Sequence, residues 1–200
     1  MADSGIHWTP IGSKPPAKSW SLFSKAPAAD PRESVICLPP FPMKSEITRK
    51  LVSTKNVILV DLDSFIKTIN EKELLSQIEE AEKSENNGLH HILYSMAASK
   101  ALDFVRREIS KDPKMSAIFV TSDYEWSVRN FAPHRLYVAV PSRDLHHKIL
   151  DTTPLDEKEK IESIRTEFIS RLSYDAVRTF NSYEELETMI RSLFGIQHKH

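Results

Sequence analysis

Glycine is scarce in this chain: there are 4, and Gly88 is the only one between Gly12 and Gly195. Phosphate-cradling loops and dinucleotide fingerprints need clustered glycines so that backbone N–H groups can approach the ligand. Kinase, GTPase and nicotinamide oxidoreductase chemistry is therefore not expected. Cys37 is the single cysteine, which excludes an internal disulfide framework and points to a reducing, intracellular setting, nucleus or cytoplasm. Long apolar runs are missing, and the opening MADSGIHWTP lacks the basic and then apolar regions of a signal peptide, so no membrane association is expected. A basic excess is missing too. The 27 Lys and Arg balance 28 Asp and Glu, unlike the composition of a dedicated nucleic-acid binder.

Proline, by contrast, is concentrated near the start. Eight prolines lie between Pro10 and Pro42, and such a composition resists regular structure. Residues 1–45 accordingly read as an extended, Pro-rich N-terminal arm, followed by a domain over 46–196. Trp8, Trp20, Phe23 and the run Ile36 to Pro42 give the arm large apolar groups that need cover, either on its own domain or on a protein partner.

From Asn56 the pattern alternates between strands and helices. Val57 to Val60 and Ala117 to Val120 are continuous apolar runs of the kind found in strands buried on both faces. RLYVAV, Arg135 to Val140, and Ala176 to Phe180 read as further strands. Helices are expected over 66–81 with Ser64 as cap, from about Leu89 to Asp112 after a break at Gly88, and briefly through Phe131. Two more follow, over 153–172 and from Ser182 onward. Within the long central helix Leu89, Ile92, Leu93, Met96, Ala97, Ala101, Phe104, Val105 and Ile109 form a wide apolar stripe. The predicted fold is a three-layer α/β domain with a mainly parallel sheet, in which 153–196 is an additional helix–strand–helix segment.

Both buried runs end in acids: Asp61 and Asp63 after the first, Asp123 and Glu125 after the second. Ligands of open α/β sheets bind beyond the carboxyl ends of the strands. VDLDSF, Val60 to Phe65, and TSDYEW, Thr121 to Trp126, resemble the acidic strand ends of the NYN branch of PIN-like nucleases. That resemblance implies a Rossmann-like sheet and metal-dependent cleavage of single-stranded RNA, with Mg²⁺ or Mn²⁺ held by Asp61 and Asp123. It casts Asp61, Asp123 and Glu125 as the catalytic acids, with Ser64 and Ser122 at its polar and glycine positions; these two, Tyr124 as a stacking ring and Arg143 as a phosphate-facing cation are candidate substrate contacts. Gly88-Leu89-His90 stands where such nucleases have glycine and then an acid. The resemblance thus also accommodates a noncatalytic scaffold that binds a protein partner in an RNA-processing assembly, through the arm or an apolar helix face.

Asp61-Leu62-Asp63 also resembles the short aspartate motif of haloacid-dehalogenase-like phosphatases. There Asp61 would be the nucleophile, Asp63 the acid or base, and Thr121 or Ser122 the phosphate holder. An ordinary role competes as well: acids after strands cap helices, which is open to Asp63 and Glu125. Trp126 is expected to pack. His90, His91, His146 and His147 lack zinc spacing. Arg143, His146, His147 and Lys148, in a loop or turn, are a candidate phosphate-facing patch.

Overall fold

The computed structural model describes Pro10 and residues 32–41, 43–51, 56–170 and 177–197. Strand β1, Glu33–Cys37, leads into helix α1, Lys44–Lys50, and then strand β2, Val57–Asp61. The short helix α2, Leu62–Phe65, and a 3-10 turn, Ile66–Thr68, precede α3, Lys72–Lys83, and the long α4, Asn87–Ser110. Strand β3, Ser116–Thr121, is followed by α5, Tyr124–Asn130, and β4, Leu136–Pro141. Helices α6, Arg143–Thr152, and α7, Leu155–Ser170, then lead to β5, Val177–Phe180, and α8, Tyr183–Gln197.

All neighbouring strands pair parallel, in the order β2-β3-β1-β4-β5. The architecture is a three-layer, Rossmann-like α/β fold, and its strand pairing sets the two acidic strands side by side. Its centre is a correction. Glu33–Cys37, expected in the extended arm, is the middle strand, and Val35, Ile36 and Cys37 have no exposed surface. Flanking prolines disguise five residues that are a complete buried strand. Residues 1–9 and 11–31, with Trp8, Trp20 and Phe23, lie outside the described residues.

Alternate side chains of each strand feed opposite layers, as the period of two requires. Val35, Cys37, Ala117, Phe119, Leu136, Val138 and Val140 meet α2 to α5 and Phe168 of α7. Ile36, Ile118, Val120, Tyr137 and Ala139 meet α1, α6 and α8. Because both faces are covered, β1 to β4 show no polar alternation, whereas the edge strand β5 exposes Arg178 and Thr179.

Helix α4 crosses the sheet on Leu93, Ala97, Ala98, Ala101, Leu102, Val105 and Ile109. The small alanines allow close approach. Its expected stripe is too wide: Leu89, Ile92, Met96 and Phe104 are 44 to 59 % exposed. The capping pattern also differs. Asn86 caps α4 by accepting from the Leu89 N–H at 3.1 Å, and Gly88 sits inside the first turn. Ser182 caps α8 as expected, accepting from the Glu185 N–H at 3.1 Å, while the Glu185 carboxylate reaches back to the Asn181 N–H.

One ion pair ties β1 to α4. Arg106 donates Nε and Nη2 to the Glu33 carboxylate at 2.8 to 3.0 Å, and the Glu33 side chain is 5 % exposed. Removing one partner of such a pair leaves a buried charge without compensation. Arg106→Met is expected to lower unfolding stability by about 3 kcal/mol, read as an earlier urea midpoint at unchanged slope.

Candidate functional site

The carboxyl ends of β2 and β3 border a cleft of about 950 Å³, walled by α3, the start of α4, α5 and α7. Asp63, Tyr94, Ser122, Asp123, Tyr124 and Glu125 all line it, with His90, His91, Lys67 and Lys160. A second groove, of about 890 Å³, lies between Phe65–Glu71 and the later turns of α4, away from the strand ends.

Asp63 is the hub of the cleft. Its Oδ1 accepts from the Tyr94 hydroxyl at 2.8 Å and the Thr121 hydroxyl at 2.9 Å. Its Oδ2 accepts from the Ser122 hydroxyl at 2.7 Å, the Ser122 N–H at 3.2 Å and the Lys44 ammonium. Burial works to raise the Asp63 carboxyl, but the Lys44 charge and the bonds from Lys44, Ser122 and Tyr94 outweigh it and hold the group below its ordinary range. Tyr94 is pushed far up, by burial first and then by the Asp63 charge and its bond to Asp63, so it remains a neutral donor. Asp63 is therefore a fixed anion. A carboxyl held in this state is poorly suited to donate a proton, the role that the phosphatase motif implies.

Asp61 and Asp123 have local duties. The Asp61 side chain caps α2, accepting from the Ser64 N–H at 3.4 Å and the Ser64 hydroxyl at 2.9 Å, with the Thr48 hydroxyl at 3.5 Å. Asp123 caps α5 through the Trp126 N–H at 2.9 Å, and His91 Nδ1 lies 3.7 Å from its Oδ2. The ordinary capping role thus falls on Asp61 and Asp123 rather than on Asp63 and Glu125, and Asp61 rather than Ser64 starts the helix after β2. Side-chain oxygens three residues before an N–H are placed for capping by the turn itself.

The donor set does not fit the metal that the nuclease resemblance implies. The Lys44 ammonium contacts Asp63 and lies 3.9 Å from Asp61 Oδ1, so the cluster already holds a cation. Among the described residues no group of three or more His, Cys, Asp or Glu side chains is arranged to hold a metal ion. Hard divalent ions need converging oxygens with free lone pairs.

Of the other expected site residues, Tyr124 and Glu125 stay on the cleft wall and Arg143 lies apart on α6. Glu125 is exposed on α5, and Tyr124 is half-buried at the cleft wall. Trp126 is buried and donates its indole N–H to Ser99 at 3.1 Å, so it packs as expected. Arg143 to Lys148 form the start of α6 rather than a loop, which buries His146 and leaves Arg143, His147 and Lys148 exposed. On the helix Arg143 and His147, four residues apart, share one exposed side, while His146 turns into the core.

Lys44 is the residue that sequence reasoning missed. A signal exists: Lys44-Ser45 follows Leu38 at the spacing with which a phosphate-binding loop ends, G-x-x-x-x-G-K-[ST], between a strand and a helix. Leu38 and Met43 replace the two glycines. Among known proteins, the chain matches no family model, no curated protein and no solved structure.

Two outcomes follow from this geometry. Asp63→Asn is expected to cost roughly 3 kcal/mol, because Lys44 stays buried without its anion. Since the folded carboxyl is depressed, its contribution is complete above the unfolded aspartate value near 4 and is lost as pH falls through the lower folded value. The stability gap between wild type and Asp63→Asn should therefore hold from pH 7 to about 5 and close below about 4 in urea titrations. Cys37, buried and pushed up to about 12 chiefly by burial, should react with a thiol reagent at pH 8 only as the protein unfolds.

Proposed function

We propose that the domain works by binding a protein rather than by hydrolysis: it is a noncatalytic α/β scaffold. The observation that carries this reading is the engagement of the acidic cluster from within, with Asp63 held by Lys44, Tyr94, Thr121 and Ser122. Each acid cast as a catalytic group either caps a helix or lies exposed on one. A metal on Asp61 and Asp123 would have to compete with their capping bonds and with the Lys44 ammonium 3.9 Å from Asp61 Oδ1.

The cleft charge supports protein over RNA. Its lining carries Asp63, Asp123, Glu79, Glu82 and Glu125 against Lys67 and Lys160, whereas RNA binding depends on cations placed along the phosphate backbone. Beside the cleft, Leu89, Ile92 and Met96 present an exposed apolar face on α4. At separations of three and four residues they share one side of the helix. Apolar groups gathered in this way favour a protein contact. The setting in an RNA-processing assembly rests on the resemblance of VDLDSF and TSDYEW to PIN-like strand ends.

The test is incubation of labelled single-stranded RNA with Mg²⁺ or Mn²⁺, comparing wild type with folded Asp61→Asn and Asp123→Asn variants. Wild type is expected to release no more product than either variant. Metal-dependent cleavage that both substitutions abolish would overturn the scaffold reading and restore the nuclease.

A further inference from the structure

The groups that hold Asp63 all come from elsewhere in the fold. Lys44 opens α1 after the central strand, Thr121 ends β3 and Ser122 follows it, and Tyr94 stands on α4. Asp63 itself arrives on α2. The receptor is thus assembled by three segments, and a fourth delivers the anion that fills it. Five donor groups converge on one carboxylate: two hydroxyls on Oδ1, and a hydroxyl, a backbone N–H and an ammonium on Oδ2. The Lys44 side chain is 8 % exposed, so the positive charge is built into the fold rather than drawn from the surface.

We infer that Lys44, Tyr94, Thr121 and Ser122 form an oxyanion-binding cradle that Asp63 closes in cis. The ligand class is a single phosphate or carboxylate group, and the carboxylate of Asp63 occupies its place.

The framework supports this assignment. A lysine at the start of the helix that follows a central parallel strand is where a phosphate-binding loop keeps its lysine. Such a loop surrounds polyphosphate with backbone N–H groups. Here Pro39, Pro40 and Pro42 have none, and the Leu38 N–H donates to the Thr121 carbonyl at 3.0 Å. Leu38 and Phe41 are buried in the core layer beneath α1 and α8, so this loop is anchored by apolar side chains. The recognition that remains is made by side chains and one N–H, enough for one compact oxyanion and not for a nucleoside triphosphate. Asp63, Tyr94 and Ser122 all line the cleft, so a vacated cradle would open to solvent. The inference does not depend on the scaffold reading, since the cradle is defined by its donors whatever the cleft binds.

Removing the internal anion tests it. Thermal unfolding of wild type, Asp63→Ala, the milder Asp63→Ser, and the double variant Asp63→Ala with Lys44→Met would be followed in inorganic phosphate, in formate, and in chloride at matched ionic strength. Asp63→Ala and Asp63→Ser are expected to gain about 4 °C at a tenfold excess of phosphate or formate over its dissociation constant, with saturation. Wild type and the double variant should not move beyond the chloride control. A rise in phosphate alone or in formate alone identifies which oxyanion the cradle prefers and supports it. Asp63→Ala that folds only in one of these anions supports it as well. If Asp63→Ser folds and responds to neither anion, or if wild type responds as strongly, the cradle is overturned.

Discussion

The buried contact between Asp63 and Lys44 is the constraint on which the carboxyl edge of this domain depends. A carboxylate and an ammonium withdrawn from water each lose hydration worth several kcal/mol, and their attraction offsets this only when further hydrogen bonds complete the shell. Tyr94, Thr121 and Ser122 supply that completion. The result joins the helix after the central strand, the end of β3, the long α4 and the short α2 at one point. Each element is positioned by the charge that the others help to shield, Lys44 at 8 % and Asp63 at 20 % side-chain exposure. In such a network a partly satisfied arrangement is worse than none, so the geometry is sharply specified.

The same edge is stabilised locally by two caps. Asp61 and Asp123 close the first turns of the helices that follow β2 and β3, and the Thr121 hydroxyl accepts from the Asp123 N–H at 3.1 Å while donating to Asp63. Capping and the central ion pair are therefore parts of one hydrogen-bonded layer across the strand ends. Acids in this layer act on the protein's own backbone and on Lys44. What faces outward is the cleft wall and the apolar side of α4, whose opposite side packs through alanines onto the sheet.

Most of the architecture was legible from pattern alone. The runs at Val57 to Val60, Ala117 to Val120 and Leu136 to Val140 are apolar throughout because each lies between two helical layers. Besides α1, which starts inside the expected arm, two elements were hidden. Glu33–Cys37 has a charged first residue and proline-rich surroundings, yet Glu33 is neutralised by Arg106, far away in sequence, and the prolines lie outside the strand. Helix α6 was obscured by polar residues after Pro141, although Ser142 caps it through the Leu145 N–H. The α4 stripe was read too wide because periodicity reports which residues share a face and not how much of that face a neighbour covers.

The sequence by itself determined the alternation of strands and helices, the parallel character of the sheet, and the acids that end two of its strands; that these two strands are neighbours came from the fold. The alternation, the parallel character and the acids follow from short-range periodicity and from the chemistry of each residue at its own position. Only the tertiary structure decided what the acids do. It placed Asp63 at the centre and gave Asp61 and Asp123 to helix ends, because a carboxylate's role is set by the donors that reach it. Those donors, Lys44, Tyr94, Thr121 and Ser122, come from segments 19 to 59 residues away, which no local pattern can bring together.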